Sequence, residues 1–209
     1  PIDSFDEYFD KRLNTASEIL APFLSSLDSM GIDELNRNHT AAKKLLLRHG
    51  ATFRLNNTGE KGVERILPFD PLPRIISNRD WLILEKGLKQ RLEAIDLFLS
   101  DIYHTQRIIN DGIIPRELIE SSEGWRPQMI GFKPPLDRWC HISGLDLIRE
   151  KNGDWLVLED NLRCPSGVAY FLENRRVMKR IFPNLFSGRI VKPIDDYPSY
   201  LLKTLQNLA

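Results

Sequence analysis

The chain has 209 residues, is 42% hydrophobic and carries 29 basic and 29 acidic residues, which is ample apolar material for one large domain or one and a half smaller ones. The neutral charge balance gives no overall attraction to nucleic acid or to an anionic membrane, so neither is expected as a partner. No apolar run approaches the roughly 20 residues that span a bilayer and the first residues lack a signal-peptide pattern, so the default location is the cytoplasm.

The first part of the chain predicts helices and a hairpin. Apolar residues recur at helical spacing over residues 14–30 and again over residues 32–48, which indicates two helices. Alternating residues over 51–55 and 63–67, on either side of a polar loop, predict two antiparallel strands.

A long helix and a second hairpin dominate the rest of the chain. Ser77 at an N-cap position precedes an amphipathic stretch from Trp81 to about Tyr103, the longest helix that the sequence predicts. Helices combined with hairpins, without strict alternation of strand and helix, predict an α+β fold with antiparallel sheet. The later predicted elements are a hairpin over residues 141–161, a helix over 168–182, a short strand over 190–192 and a helix over 197–208.

The hairpin over residues 141–161 is the most informative segment. Its Asn152-Gly153 dipeptide is typical of a two-residue type I′ turn, because both turn positions need φ > 0. If these two residues form the whole loop, counting outward sets Asp146 directly opposite Glu159. Asn161 then follows two residues later on the same face.

Two facing carboxylates repel each other, and a divalent cation would offset that repulsion. Opposed residues in an antiparallel pair hold their Cβ atoms about 4.5–5.5 Å apart, and Mg²⁺ prefers carboxylate and amide oxygens. The alternative is that Asp146 and Glu159 lie on a solvated face or pair with Lys or Arg. The predicted register places Ile148, Trp155 and Val157 on the Asp146 face and leucines on the other, so we expect the hairpin to lie between two layers.

The hairpin and its surroundings resemble the circularly permuted ATP-grasp proteins. The resemblance lies in an acid on one strand, a short turn, and Glu-x-Asn at the end of the next strand before a Pro/Gly loop. Its motifs are GLDLIR at 144–149 and WLVLEDNLRCPSGVAYFLENR at 155–175, together with GATF at 50–53, ERILPFDPLPRII at 64–76, DIYH at 101–104 and DGIIP at 111–115. It implies a partial circularly permuted ATP-grasp fold, with a helical and hairpin region over residues 1–135 and the metal-binding hairpin with its following helices over residues 136–209.

The resemblance implies a magnesium site. Asp146, Glu159 and Asn161 would be the ligands that connect Mg²⁺ to the β- and γ-phosphates of ATP. Arg163 would grip a γ-phosphate or a substrate carboxylate, unless it is an exposed loop residue. Ser166 and Gly167 precede a predicted helix, so their N–H groups would either meet an anion or serve as caps alone.

The substrate is left open by one departure from the related ligases. D-alanine:D-alanine ligases have an arginine two residues before the first metal-binding acid, where this chain has Gly144. A glycine inside a strand often marks a bulge or the close approach of a ligand. Arg65 and Arg74 flank a proline-rich segment and could supply positive charge to the site, or be ordinary surface residues.

The implied activity is that of an ATP-dependent carboxylate–amine ligase working through an acyl phosphate. Its expected partners are small carboxylate and amine substrates, of amino-acid or peptide type, and the remaining C-terminal half of the ligase. A complete member of the family is considerably longer, so the chain is expected to be an N-terminal portion that is inactive alone. The alternatives are a non-catalytic ATP-grasp-like binding or scaffold module, and a peptide–polyamine ligase resembling glutathionylspermidine synthetase.

The two cysteines predict no disulfide framework and no zinc site. Cys140 and Cys164 are too few and lack the necessary spacing, so reduced thiols are expected. Cys164 adjoins the candidate site, where a buried hydrophobic role is favoured over a reactive thiol.

Overall fold

The computed structural model describes Tyr8 and residues 16–54, 64–187 and 191–208. Its helices are α1 (Ala16–Arg48), α2 (Asn78–Tyr103), α3 (Arg107–Asn110), α4 (Arg116–Glu120), α5 (Val168–Ile181), α6 (Pro183–Phe186) and α7 (Tyr197–Leu208). Its strands are β1 (Thr52–Arg54), β2 (Glu64–Ile66), β3 (Gly144–Arg149) and β4 (Trp155–Asn161).

The described elements confirm the predicted α+β class. In these parts of the chain, β1 pairs with β2 and β3 pairs with β4, each as a separate two-stranded antiparallel sheet. The predicted loop over residues 56–62 lies outside the described residues. The short strand predicted over 190–192 is wrong at Val191 and Lys192, which are not in a strand, while residue 190 also lies outside the described residues.

The first helix is broken where the sequence predicts a boundary between two helices. Gly31 interrupts α1 with φ 73° and ψ 162°, a conformation that glycine adopts without the steric cost of a Cβ. The two predicted helices therefore exist as two segments that meet at Gly31. The long helix predicted from about residue 81 is also confirmed as α2.

The chain divides into two compact units, which we call unit 1 and unit 2. Unit 1 comprises the described residues of Pro1–Ser77, Glu150–Asp154 and Ser166–Ser199, and unit 2 comprises those of Asn78–Arg149, Trp155–Pro165 and Tyr200–Ala209. The division predicted at residue 135 stays a prediction.

Unit 1 is organised around an apolar core. Phe69 and Phe182 stack in it with ring centroids 6.5 Å apart, and Phe182 is fully buried. The buried members of this core among the described residues are Phe23, Ala42, Leu46, Ala51, Phe69, Val177, Met178 and Phe182.

Unit 2 contains α2 and the strands β3 and β4. Its aromatic centre is Tyr103, whose ring stacks on Trp125 with centroids 4.8 Å apart and on Trp139 with centroids 4.9 Å apart. The buried carboxylate of Asp96 lies on the same helix as Tyr103. No helix in the described parts of the chain combines the length and apolar character that crossing a bilayer would require.

Candidate functional site

The turn between β3 and β4 is longer than the sequence predicts. Glu150 N–H donates to the carbonyl of Asp154 at 2.9 Å, and Gly153 N–H donates to the carbonyl of Glu150 at 2.8 Å. The loop is therefore the three residues 151–153, with Gly153 at φ 92°, which is the common three-residue hairpin with glycine in the left-handed position. The predicted two-residue type I′ turn is wrong, because only Gly153 of the dipeptide takes a positive φ.

A bulge restores the register that the longer turn would have shifted. Near the turn Leu147 pairs with Val157, but beyond the bulge Asp146 pairs with Glu159, so Leu158 is the extra residue. Two residues on one strand then oppose one on the other, as in other β-bulges. The prediction that Asp146 faces Glu159 is confirmed, although the turn used to derive it is not.

The bulge also changes which side chains share the Asp146 face. Trp155 pairs with Arg149 and Val157 pairs with Leu147, so both lie on the face opposite to Asp146, where the predicted register had not placed them. Leu156 pairs with Ile148 and joins the Asp146 face instead. The physical reason is the period of two along a strand, since a shift of one residue exchanges the two faces.

The two carboxylates are exposed. Asp146 and Glu159 are both open to solvent, and so are Ile148 and Leu156 at 40% and 41% exposure. The expectation that the hairpin lies between two layers is therefore wrong for this chain. Among the described residues neither carboxylate forms an ion pair with Lys, Arg or His, and water weakens their mutual repulsion because its dielectric constant is high.

Gly144 lies opposite Asn161 at the open end of the hairpin. A Cβ at Gly144 would lie 2.8 Å from Cβ of Pro165 and 3.8 Å from that of Asn161. The close approach that a strand glycine predicts is therefore made by a residue of the chain itself. Pro165 packs over the glycine, and the half-buried Asn161 lies beside this contact.

The donor chemistry at this end of the hairpin fits Mg²⁺. Asp146 and Glu159 offer opposed carboxylates, and Asn161 offers an amide oxygen two residues along the same strand, which are the oxygen donors that hard divalent cations take. Across the described residues, no group of three or more His, Cys, Asp or Glu side chains could hold a metal ion. Mg²⁺ usually keeps several waters and takes one or two carboxylates together with substrate phosphates, and the metal-binding role of this set stays a prediction.

An ion pair that sequence reasoning missed holds β4 to α2. Arg91 donates from Nε to Oδ1 of Asp160 at 2.7 Å and from Nη2 to Oδ2 at 2.6 Å. The hydrogen bond from Arg91 holds the pKa of the Asp160 carboxyl below its usual value, and the same bond raises the pKa of Arg91. Nothing in the sequence connects two residues 69 positions apart, although an acid between Glu159 and Asn161 is itself a signal that a cation lies nearby.

A carboxylate of α2 holds the segment that leads into β3. Asp96 accepts hydrogen bonds from the backbone N–H of Trp139 at 2.9 Å and of Cys140 at 3.0 Å, and from Arg138 Nη1 at 3.1 Å. Asp96 is 8% exposed, so these donors replace most of its water. The irregular segment before the hairpin is thereby fixed to the helix.

The predicted phosphate-binding residues lie beyond the strand. β4 ends at Asn161, so strand alternation does not determine the direction of the exposed Arg163. Gly167 is the N-cap residue of α5 at φ 102°, without a side-chain cap, so the alternative of a capping role is confirmed for Gly167 and wrong for Ser166. The anion-binding roles of Arg163, Ser166 and Gly167 stay predictions.

Arg65 and Arg74 belong to unit 1. Arg65 lies on β2 opposite Phe53, and Arg74 lies in the extended segment before α2. Both side chains are exposed. Their contribution to the site stays a prediction.

The cysteines differ in exposure. Burial raises the pKa of the Cys140 thiol and the nearby carboxylate of Asp96 raises it further, so Cys140 is not an activated thiolate. Cys164 is exposed. The prediction that Cys164 is a small buried hydrophobe is wrong, because the loop after β4 turns it towards solvent.

Three relatives illustrate the similarity to known proteins. An uncharacterised protein of Synechocystis is 50% identical over 189 residues, which are 90% of this chain and 39% of that protein. An uncharacterised protein of Mycobacterium tuberculosis is 43% identical over 209 residues, which are 99% of this chain and 36% of that protein. A Frankia alni protein named "Putative glutamate--cysteine ligase 2-3" is 36% identical over 183 residues, which are 87% of this chain and 20% of that protein.

The chain thus spans well under half the length of these curated relatives. The sequence model of one family, circularly permuted ATP-grasp type 2, matches residues 73–209. This match covers more than half of the chain and includes α2, both strands of the candidate metal hairpin and α5. The chain therefore belongs to the circularly permuted ATP-grasp type 2 family.

Proposed function

We propose that the chain is part of an ATP-dependent carboxylate–amine ligase in which the hairpin of β3 and β4 holds magnesium. The observation that carries the proposal is the pairing of Asp146 with Glu159, in a chain of an ATP-grasp family. Two facing acids without an ion-pair partner among the described residues are poised to hold a cation. Their exposure in this chain leaves them accessible to a nucleotide.

Each residue of the candidate site has a role in this proposal. Asp146, Glu159 and the amide oxygen of Asn161 hold Mg²⁺, which supplies neutralisation of the ATP phosphates when bound. Arg163 binds a phosphate or a substrate carboxylate, since a guanidinium can donate two parallel hydrogen bonds to either. The N–H groups at Ser166 and Gly167 bind a further anionic group at the start of α5.

The proposed chemistry is phosphoryl transfer from ATP to a carboxylate, followed by attack of an amine on the acyl phosphate and release of ADP and phosphate. Two Frankia relatives carry the name "Putative glutamate--cysteine ligase", which supports an amino-acid carboxylate and an amine as the substrate classes. Positioning and charge neutralisation account for most of the protein's contribution to phosphoryl transfer. The residues described above are of the kind needed for both.

The test of the metal assignment is Glu159→Gln in the full-length protein. Removing one carboxylate charge from the ligand set should weaken Mg²⁺-dependent ATP binding by about 10-fold or more, measured by calorimetric titration with and without Mg²⁺. Glu150→Gln is the matched control, since Glu150 is an exposed glutamate at the turn of the same hairpin. Equal nucleotide affinity in both variants and the wild type would refute the assignment.

The 209-residue chain by itself is expected to bind ATP weakly and not to turn over, since it aligns with only 36–39% of its uncharacterised relatives. ADP release by the isolated chain, followed in a coupled assay with carboxylate and amine substrates, checks this expectation. Turnover at the rate of the full-length protein would contradict it.

A further inference from the structure

We propose that Arg91 is a positioning residue for the magnesium site, acting through Asp160. The inference rests on the proposed function, because it assumes that Glu159 and Asn161 are metal ligands. Arg91 does not belong to the ligand set. Its role is to hold the strand segment that presents those ligands.

The geometry of the ion pair favours this role over that of an ordinary surface contact. Both oxygens of Asp160 accept from the guanidinium, at 2.6 and 2.7 Å, so the pair has the two-pronged arrangement that fixes direction as well as distance. Asp160 lies between the two proposed ligands along β4 and, by strand alternation, projects from the opposite face. Fixing its side chain therefore fixes the peptide units that carry both ligands.

The bulge makes an external anchor important at this position. Beyond Leu158, only the pairs of Glu159, Asp160 and Asn161 connect β4 to β3. A bulge disrupts the hydrogen-bond ladder and increases local twist, so a three-residue segment beyond it is weakly oriented by the ladder alone. The bond to Arg91 supplies orientation from outside the sheet.

The same helix secures the hairpin at two other places. Near the start of α2, Oδ2 of Asp80 lies 3.5 Å from Nη2 of Arg149, which is at the turn end of β3. Asp96, further along α2, holds the backbone that leads into β3. Arg91 lies between these two anchors along α2 and contacts the ligand-bearing end of β4 through Asp160.

Positioning and simple charge predict opposite results when Arg91 is removed. Without Arg91, the carboxylate of Asp160 is left uncompensated beside the metal site, and electrostatics alone would then tighten binding of a divalent cation. A loss of positioning would weaken it instead. Partners that orient metal ligands typically contribute 10–100-fold to metal affinity or activity.

The experiment is a titration with Mn²⁺ as a spectroscopic substitute for Mg²⁺, in the full-length protein with ATP present, followed by water-proton relaxation. We expect Arg91→Met to weaken Mn²⁺ binding by about 10-fold while circular dichroism and the unfolding midpoint stay near the wild-type values. Lys89→Met is the matched control, because Lys89 lies on the same helix and, among the residues that the structure describes, forms its ion pair within that helix, with Glu85 at 2.7 Å. Arg91→Lys keeps the positive charge but cannot form the two parallel hydrogen bonds of the guanidinium, so its Mn²⁺ affinity should lie between those of Arg91→Met and the wild type.

The double variant Arg91→Met with Asp160→Asn separates the two explanations further. This double variant neutralises Asp160 but does not restore the anchor. Mn²⁺ binding should therefore remain weak if Arg91 positions the strand. Tighter or unchanged Mn²⁺ binding in Arg91→Met, beside normal wild-type binding, would overturn this inference alone. Absence of Mn²⁺ and ATP binding in the wild type would overturn the proposed function and this inference with it.

Discussion

Different kinds of interaction organise the interior of each of the two units. Unit 1 buries a continuous apolar cluster that includes Phe69, Val177 and Phe182. In unit 2, directional contacts from α2 anchor the segments around the hairpin, chiefly through Arg91 and Asp96. Apolar burial is non-directional, whereas a hydrogen bond depends on distance and angle. The proposed metal ligands thus lie in the unit whose contacts specify orientation.

The largest expected effect comes from breaking the apolar core of unit 1. Phe182→Ala removes a fully buried ring, and the lost burial and the remaining cavity should lower the free energy of unfolding by about 3–5 kcal/mol. Urea denaturation measures this loss. Phe171→Ala on the neighbouring helix α5 is the control, because Phe171 is 74% exposed and should change stability by no more than about 0.5 kcal/mol. Similar losses in both variants would show that the cluster around Phe182 does not carry the stability of unit 1.

Breaking the polar anchor of unit 2 should have a somewhat smaller effect. Asp96→Ala leaves the N–H groups of Trp139 and Cys140 without their acceptor, which should cost about 2–4 kcal/mol of unfolding free energy. Asp96→Asn is the matched variant. Its amide oxygen can still accept both N–H groups, since both reach the same oxygen of Asp96, so its cost should be about 1 kcal/mol or less. Thermal or urea unfolding that failed to separate the two variants would argue against the backbone hydrogen bonds as the anchor.

A pair of glycine substitutions tests the packing of the hairpin. Gly144→Ala places a methyl group against Pro165, where a Cβ would lie at 2.8 Å, and should destabilise by about 1–3 kcal/mol through overpacking. Gly87→Ala on α2 meets nothing within 4 Å and should stabilise by about 0.5–1 kcal/mol through helix propensity. Opposite shifts of the thermal midpoint are the expected outcome. A neutral Gly144→Ala would mean that the loop carrying Pro165 moves aside easily.

The same contrast explains what the sequence could and could not predict. Periodicity found the helices on both sides of Gly31 and the long helix α2, because apolar spacing reports which face is buried. Counting outward from an assumed two-residue turn predicted that Asp146 faces Glu159, although the observed turn has three residues. The three-residue turn and the bulge at Leu158 were not predicted. Each shifts the register by one residue, and because the two shifts cancel, the predicted pairing of the acids was still correct.

Contacts between distant residues were also beyond sequence reasoning. The pairs of Arg91 with Asp160 and of Asp96 with the segment before β3 join residues far apart in the chain, and no local pattern encodes such a pairing. The faces of the hairpin were partly misassigned for a different reason, because the longer turn and the bulge exchange the faces on which Trp155 and Leu156 lie. Local rules therefore gave the elements and the facing acids, while the anchors around them required the structure.

The smallest expected effect concerns a polar contact at the end of α2. Burial by itself would raise the pKa of Asp101, but hydrogen bonds from the Thr105 hydroxyl and from the N–H groups of Ile108 and Arg107 hold it below its usual value. A carboxyl with a lowered pKa in the folded state stabilises the fold above its unfolded pKa of about 3.9, and this contribution is lost as the pH falls through the folded value.

Asp101→Asn should therefore lower the free energy of unfolding by about 1 kcal/mol or less near pH 7, and its difference from wild type should shrink below about pH 4. Urea unfolding across this pH range measures it, with Asp111→Asn as the control because the Asp111 side chain forms no hydrogen bond among the described residues. A difference that stayed constant down to the lowest pH would show that the charge of Asp101 does not stabilise this end of the helix.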